Sequence, residues 1–411
     1  MAEHRAGSTS LRSLIVPVSL TLAVQTLVAL AVYSAPVMAP VAGPADFGVP
    51  ASWIGYYIAI VYLGSMLGSV TAGGLVARYG PVRMSQAGLT SCLIGLALAS
   101  SSSSMCVVAL GALFVGLGYG PTTPASSQIL MRATPPSMIA ITFSVKQTGV
   151  PLGGAIAGAI VPTLIIIFGW RWAAVAIGLA CLLLAFAIQP MRKFYDTGLN
   201  ASAPASLGSA FAPLGLVFRD RRLAEMAVVS FIFGGVQITL VAYLVTFLTG
   251  SFAMALVLAG FVMAASQVAS VVGRVLWGFI ADRMLGRRVM LGLLGVGMGL
   301  SALVTLAASP AWPLPLLFLF AIAFGATAVG WNGVFLAEVA HIAPPGQTSQ
   351  YTGGCMFFTF LGVVVTPPLF SIILAAGGSY ASAYALFGAL ALLAGAWLLA
   401  PNGEDESAAE K

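Results

Sequence analysis

Charged residues are scarce in this sequence. Asp, Glu, Lys and Arg together make up only 7% of the 411 residues, whereas 60% are hydrophobic and the mean hydropathy is +1.03. A soluble domain carries roughly 25% charged residues, which cover its surface in water. Two or three soluble domains would fit this length, but the composition excludes them and indicates a protein that lies mostly within a membrane.

Residues that carry catalytic or metal chemistry are also few. The chain has two histidines, His4 near the N-terminus and His341 at a predicted loop edge. It contains no H-E-x-x-H motif, no Ser–His–Asp set and no G-x-x-x-x-G-K-S/T nucleotide loop. The cysteines have no paired spacing, which favours small buried side chains over disulfides or metal ligands. They are Cys92, Cys106, Cys181 and Cys355. We therefore expect no enzymatic activity, no cofactor, no metal and no ATP-driven pump.

Twelve apolar stretches are long enough to cross a bilayer, for which about 20 residues are needed. They lie near 14–40, 51–76, 84–101, 105–131, 138–168, 172–190, 224–249, 253–281, 288–308, 313–341, 349–376 and 380–400. We predict an all-α membrane protein with twelve transmembrane helices in two pseudo-symmetric six-helix halves, 1–190 and 224–411. The longest polar interval, 191–223, is the predicted cytoplasmic linker, and its residues 211–218 could form a short amphipathic helix.

Lys and Arg positions predict the orientation, because cytoplasmic loops are enriched in these residues. A cytoplasmic N-terminus leaves only Arg171 on the opposite face. The cytoplasmic set is Arg5, Arg12, Arg78, Arg83, Arg132, Arg192, Lys193, Arg219, Arg221, Arg222, Arg283, Arg287, Arg288 and Lys411. We expect the protein in the cell (inner) membrane, with both termini, including the acidic residues 404–410, on the cytoplasmic side.

The net charge of +6 then reflects the positions of Lys and Arg in cytoplasmic loops, so we expect no nucleic-acid partner. No small-residue cleavage site follows a short apolar core, so we also expect no removable signal peptide.

The two halves repeat a loop between their second and third spans. The second copy starts at Gly278 and reads G-F-I-A-D-R-M-L-G-R-R, and the first starts at Gly73 and reads G-G-L-V-A-R-Y-G-P-V-R. The second copy resembles the G-x-L-A-D-R-x-G-R-R hallmark of the major facilitator superfamily. The first departs from it, because Ala77 stands where the family usually has the acid that Asp282 supplies in the second copy.

This resemblance implies two six-helix halves that move by alternating access, with the loops acting as cytoplasmic gates. The gating candidates are Gly73, Arg78, Arg83, Gly278, Asp282, Arg283, Arg287 and Glu338. Glu338 is a possible partner for Arg283 or Arg287. The alternative is that these charges only set the orientation and have no role in gating.

Two cations lie at membrane depth, Lys146 in span five and Arg274 in span eight, with no Asp or Glu deep in any span. A charge at a helix centre costs at least ~2.5 kcal/mol. An anion between the two cations would resolve the imbalance, and the resemblance places spans five and eight beside a central cavity. Alternatively, Lys146 snorkels or is deprotonated, and Arg274 is a strut on helix carbonyls.

Polar and aromatic residues in spans one, four, seven and ten are the remaining substrate-binding candidates, although each could equally bridge two helices. They are Tyr33, Tyr119, Thr122, Thr123, Gln237, Tyr243, Trp331 and Asn332. The R-V-L-W-G segment at Arg274 resembles monocarboxylate and oxalate–formate carriers, but the further intramembrane charges of those families are missing here.

We therefore predict a secondary active transporter, working as a symporter or antiporter, for a small organic anion that is monocarboxylate-like. Its partners would be this anion, membrane lipid and a co-transported or exchanged ion, and we expect a monomer. The alternatives are an efflux carrier for amphiphilic or drug-like compounds, which usually needs a deep acid, and a non-transporting sensor or scaffold on the same fold.

Overall fold

The computed structural model describes residues 11–135, 138–200, 214–344 and 348–400. These residues form α-helices with short 3-10 and π turns, and no β-strand occurs within the described ranges. The acidic tail, the N-terminal residues up to 10 and residues 201–213 of the predicted linker lie outside them. The α-helices are α1 (Leu11–Ala42), α2 (Ile54–Tyr79), α3 (Pro81–Ser101), α4 (Met105–Tyr119), α5 (Thr122–Ala133), α6 (Ile139–Gln147), α7 (Gly149–Ala187), α8 (Arg192–Tyr195), α9 (Leu214–Val217), α10 (Arg221–Ser251), α11 (Leu256–Ile280), α12 (Arg287–Val304), α13 (Leu314–Ala328), α14 (Asn332–Ile342), α15 (Thr348–Ala375) and α16 (Tyr380–Leu399).

Eleven helical stretches of the described chain are long and apolar enough to cross a membrane. One of them, Ile141–Tyr195, has 55 residues, more than twice the length that a bilayer needs. Gly169 interrupts it with φ +80° and ψ 158°, a backbone conformation that side chains rarely adopt. This break falls between residues 168 and 172, where the sequence predicts the end of span five and the start of span six.

The described residues form two compact units. The described residues of unit 1 are those up to Val49 and from Ile60 to Asn200, and those of unit 2 are Pro50–Ala59 and the residues from Leu214 onward. In unit 1, α1 packs along α7, and α3 packs on both α4 and α7. In unit 2, the main pairs are α12 with α16, α10 with α15 and α11 with α13. The two units therefore divide the chain near the predicted linker, except that α2 begins in unit 2.

A chain of hydroxyl groups links Ser52, in the 3-10 turn just before α2, to the rest of unit 2. Ser371 Oγ donates to the Ser52 carbonyl at 2.7 Å, and the Tyr243 and Ser371 hydroxyls lie 2.8 Å apart. The Tyr243 hydroxyl also donates to the Pro367 carbonyl. Tyr243 is fully buried and stacks on Phe370 with ring centroids 4.0 Å apart. In this structure Tyr243, a predicted lining residue, bridges α10 and α15.

In unit 1 an ion pair joins the end of α1 to α7. Asp46 lies in a π-helical turn, Gly43–Phe47, that extends α1 beyond the predicted end of span one at 40. Its carboxylate binds Arg171 Nη2 at 2.8 Å and also accepts from Trp170 Nε1. Arg171 Nη1 donates to the Ser100 carbonyl at 2.7 Å, at the end of α3. The predicted lone cation of the opposite face therefore has a carboxylate partner, and three helices meet there.

We expect Asp46→Asn to destabilise the protein, because the Arg171 guanidinium loses its anionic partner and charged hydrogen bonds contribute more than neutral ones. Thermal unfolding in detergent should show a midpoint lower by roughly 2 °C or more. Asp282→Asn is the matched control, since the side chains of its ion pair with Arg287 are 58% and 35% exposed and exposed pairs contribute little. Equal shifts in the two variants would contradict a stabilising role for the Asp46 pair.

Candidate functional site

Lys146 is the largest charged side chain among the fully buried residues of the described chain. It lies near the end of α6, just before the α6–α7 junction at Thr148, and it is 1% exposed. Its Nζ donates to Thr123 Oγ1 at 3.3 Å, and no described carboxylate forms a salt bridge with it. Thr123 is the second residue of α5, directly after the break that separates α4 from α5. The burial excludes snorkelling, which requires the ammonium group to reach water.

Arg274 is half-buried in α11 and contacts a second helix break. Its Nε donates to the Val329 carbonyl at 3.3 Å, and Val329 lies in the turn between α13 and α14. Asn332 Nδ2 lies 3.5 Å from the same carbonyl oxygen. One of the five N–H groups of the guanidinium therefore binds a backbone carbonyl, as the strut alternative predicts. Substrate binding by Arg274 stays a prediction.

Gln237, Trp331 and Asn332 form one hydrogen-bonded group in unit 2. Gln237 Oε1 accepts from Trp331 Nε1 at 3.0 Å and from Asn332 Nδ2 at 2.9 Å. Trp331 is fully buried, with ring centroids 5.5 Å from Phe233 and 5.2 Å from Phe335. Together with the shared Val329 carbonyl, these bonds bring four of the predicted residues together, and they connect α10, α11 and α14.

The aromatic candidates of unit 1 lie on α1 and α4. Tyr33 is 2% exposed, and Tyr119 packs against Tyr62 with ring centroids 6.0 Å apart. Tyr62, in α2, was not predicted from the sequence. Thr122 Oγ1 donates to the Gly118 carbonyl at 3.3 Å, so this contact bridges the break between α4 and α5 and reaches no other helix.

Two buried glutamines were also missed by the sequence prediction. Gln25 in α1 is 1% exposed, and its Oε1 has no hydrogen-bond partner among the described residues. Gln267 in α11 is also 1% exposed, and neither its Oε1 nor its Nε2 has a described partner. Gln267 is seven residues before Arg274, which places both on one face of α11. An amide inside an apolar span is the sequence signal that could have identified them.

The second hallmark loop contains two ion pairs of different exposure. Arg287 Nε binds Asp282 Oδ1 at 3.0 Å, and Arg288 binds both oxygens of Glu225 at 2.7 Å. Glu225, near the start of α10, was not predicted from the sequence. Arg283 lies over the Phe279 ring at 5.8 Å. Within the described ranges no salt bridge joins the half-buried Glu338 to Arg283 or Arg287.

The first hallmark loop receives a carboxylate from the segment that follows α7. Asp196 accepts from the backbone N–H of Val82 at 2.7 Å and of Arg83 at 3.2 Å. Those N–H groups begin α3, and a helix N-terminus favours a negative charge. The Asn200 N–H donates to the carbonyl of Ala77 at 2.9 Å. The first hallmark loop therefore contacts a carboxylate although position 77 carries none, and this carboxylate belongs to a residue more than a hundred positions later.

These helices and loops define an integral membrane protein with multiple spans. The family that the hallmark loops indicate is confirmed by direct comparison. Residues 21–339 match the sequence model of the Major Facilitator Superfamily, and the chain belongs to this family of transporters.

Among individual proteins, similar sequences occur in bacterial transporters. A hexuronate transporter of Bacillus subtilis is 21% identical over 301 residues, which are 69% of each chain. A cis,cis-muconate transport protein of Acinetobacter baylyi is 24% identical over 366 residues, which are 85% of each chain. The 4-hydroxybenzoate transporter PcaK of Pseudomonas aeruginosa is 30% identical over 142 residues, 34% of this chain and 31% of that protein.

Solved structures share the fold. The nucleoside transporter NupG superposes with a TM-score of 0.74 at 15% identity, covering 94% of this chain and 99% of the other. A peptide transporter of the POT type gives a TM-score of 0.71 at 16% identity, covering 93% of each chain.

Gly80 in the first hallmark loop is the position where we expect the least tolerance of a side chain. Its φ is +96°, and a Cβ atom would lie 2.4 Å from Asp196 Cγ. Because this backbone region costs a non-glycine residue about 1–3 kcal/mol, Gly80→Ala should lower the unfolding temperature and the yield of folded protein.

Gly73→Ala is the control within the same loop motif. A Cβ at Gly73 meets no atom within 4 Å, and alanine favours a helix over glycine by about 1 kcal/mol. We expect its unfolding temperature to match or exceed that of the wild type. A loss in Gly73→Ala equal to that in Gly80→Ala would contradict the role of the Asp196 contact.

Proposed function

We propose that this protein is a secondary active transporter that moves a small organic anion, monocarboxylate-like, across the cell (inner) membrane by alternating access. The three similar proteins are transporters whose names give hexuronate, cis,cis-muconate and 4-hydroxybenzoate as cargo. All three are organic acids that are anionic near neutral pH. This common property supports an organic acid as the cargo here.

The environment of Lys146 is the observation on which the proposal depends. Its amine is fully buried and bonded to a neutral hydroxyl, Thr123 Oγ1. A charged group inside a membrane span is expensive and usually functional, and a hydroxyl compensates an ammonium far less than an anion does. A substrate carboxylate would supply the missing negative charge while it is bound.

Arg274 is the second proposed contact for the carboxylate. A guanidinium can bind both oxygens of a carboxylate at once, which gives orientation as well as affinity. Its Nε bond to Val329 fixes one edge of the group in unit 2. The substrate would also contact Tyr33, Tyr119, Gln237 and Asn332, while the buried Trp331 would act through its hydrogen bond to Gln237.

The proposal includes twelve spans in two six-helix halves, with α7 counted as two spans because Gly169 interrupts it. Both termini would be cytoplasmic, and the protein would act as a monomer with a co-transported or exchanged ion. In the two hallmark loops, Asp196 and Asp282 would act as the gating acids. The gating arginines would be Arg78 and Arg83 in the first loop and Arg283 and Arg287 in the second. Glu338 would take part in gating in conformations where it pairs with a basic residue.

We expect removal of either cation to reduce transport. Lys146→Met and Arg274→Gln keep much of the side-chain volume and remove the charge, so uptake of the labelled acid into proteoliposomes should fall about tenfold or more. The acids to compare are cis,cis-muconate, 4-hydroxybenzoate and glucuronate.

Lys193→Ala is the control, because this lysine lies over the Phe194 ring at 4.9 Å, outside the proposed site. It should transport like the wild type. If Lys146→Met and Arg274→Gln also match the wild type, the two-cation site is wrong. If the wild type moves none of these acids, organic-acid transport itself loses its support.

A further inference from the structure

Within the proposed function, we propose that Trp331 is a positioning residue that holds the Gln237 amide with its Nε2 group available to the substrate. Gln237 would then bind a second acceptor group of the organic acid, such as a hydroxyl, a carbonyl or another carboxylate oxygen. The preferred substrates would then be organic acids that carry a hydrogen-bond acceptor in addition to the carboxylate.

The orientation of Gln237 follows from the chemistry of its neighbours. An indole N–H can only donate, so the Gln237 atom that faces Trp331 Nε1 must be the oxygen. Asn332 Nδ2 donates to the same oxygen. Two donors occupy the two lone pairs of Oε1, which leaves the N–H groups of Nε2 as the polar atoms directed away from this group.

The orientation of Asn332 is fixed in the same way. A backbone carbonyl can only accept, and Asn332 Nδ2 lies 3.5 Å from the Val329 oxygen. With its nitrogen directed at both Val329 and Gln237, Asn332 cannot turn its oxygen toward Gln237 without losing both contacts. Gln237 therefore has two donors that enforce a single orientation.

The surroundings of Trp331 make this arrangement rigid. Its side chain is fully buried and packs edge-on against Phe233 and Phe335. A reversed Gln237 amide would place its NH2 group against two other donors and leave them unsatisfied, which costs about 1–3 kcal/mol for each buried group. Gln237 itself is half-buried, so its amide is not sealed inside unit 2.

The Val329 carbonyl connects this amide to the proposed carboxylate site. It accepts from Arg274 Nε as well as from Asn332. One turn between α13 and α14 therefore positions both the cation and the Gln237 donor. A ligand with a carboxylate for Arg274 and an acceptor for Gln237 matches the two groups that this turn holds.

Trp331→Phe tests the proposal, because it keeps an aromatic ring between Phe233 and Phe335 and removes the indole N–H. The matched control is Trp277→Phe. Trp277 Nε1 donates to the Ala326 carbonyl at 2.8 Å in the same unit, so this variant also loses one indole hydrogen bond but leaves Gln237 untouched.

Binding would be measured by ligand-induced thermal stabilisation with two pairs of acids, 4-hydroxybenzoate with benzoate and cis,cis-muconate with 2,4-hexadienoate. The wild type should prefer the first member of at least one pair by about tenfold. In Trp331→Phe this preference should fall to about one, with the affinity for the second member unchanged within about twofold. Trp277→Phe should keep the wild-type preference.

Gln237→Met removes the Nε2 donor, keeps much of the side-chain volume and adds no charge to the site. It should abolish the preference even if Trp331→Phe does not fold. An unchanged preference in Trp331→Phe or in Gln237→Met, or an equal loss for both members of a pair, would mean that the group is structural only and would overturn the proposal. A wild type that binds the acids without preference would also overturn this proposal, but it would leave the proposed transport of organic acids unaffected. A wild type that binds none of the four acids would count against the proposed function itself.

Discussion

A residue beside a helix interruption supplies a hydrogen-bond partner to each of the two candidate cations. Inside a bilayer an intact helix satisfies its own backbone, so little remains for side chains to bind. Both candidate cations contact residues at an interruption: Lys146 binds Thr123 just after the α4–α5 break, and Arg274 binds Val329 within the α13–α14 turn. The partner is a side-chain hydroxyl in unit 1 and a backbone carbonyl in unit 2.

The two hallmark loops receive their carboxylates from different parts of the sequence. The second loop has its acid in place, with Asp282 bound to Arg287. The first lacks that acid at Ala77, yet Asp196 reaches the start of α3 from the segment after α7. A comparison of the two loop sequences alone would underestimate the charge at the first loop, because the compensating residue is far away in the chain.

Much of the architecture could be predicted from the sequence, because long apolar runs in a membrane have few alternatives to helix. Arg274, Gln237, Trp331 and Asn332 were predicted from residue type and span position, and the structure brings these four together in unit 2. The orientation of Gln237 could not be predicted, since it depends on contacts between helices that are distant in sequence. Asp196 and Glu225 were missed for a related reason: both lie at helix ends, where a carboxylate is usually solvated and carries no distinctive pattern.

The attachment of Ser52, just before α2, to the rest of unit 2 has a consequence for its dependence on salt. It uses hydroxyl and carbonyl groups, Ser52, Tyr243, Pro367 and Ser371, and none of these carries a charge. Each such neutral bond contributes only about 1 kcal/mol, and its separation exposes no ion to a medium that cannot solvate it. These bonds should therefore respond little to salt, which distinguishes them from the arginine–carboxylate pairs elsewhere in the molecule.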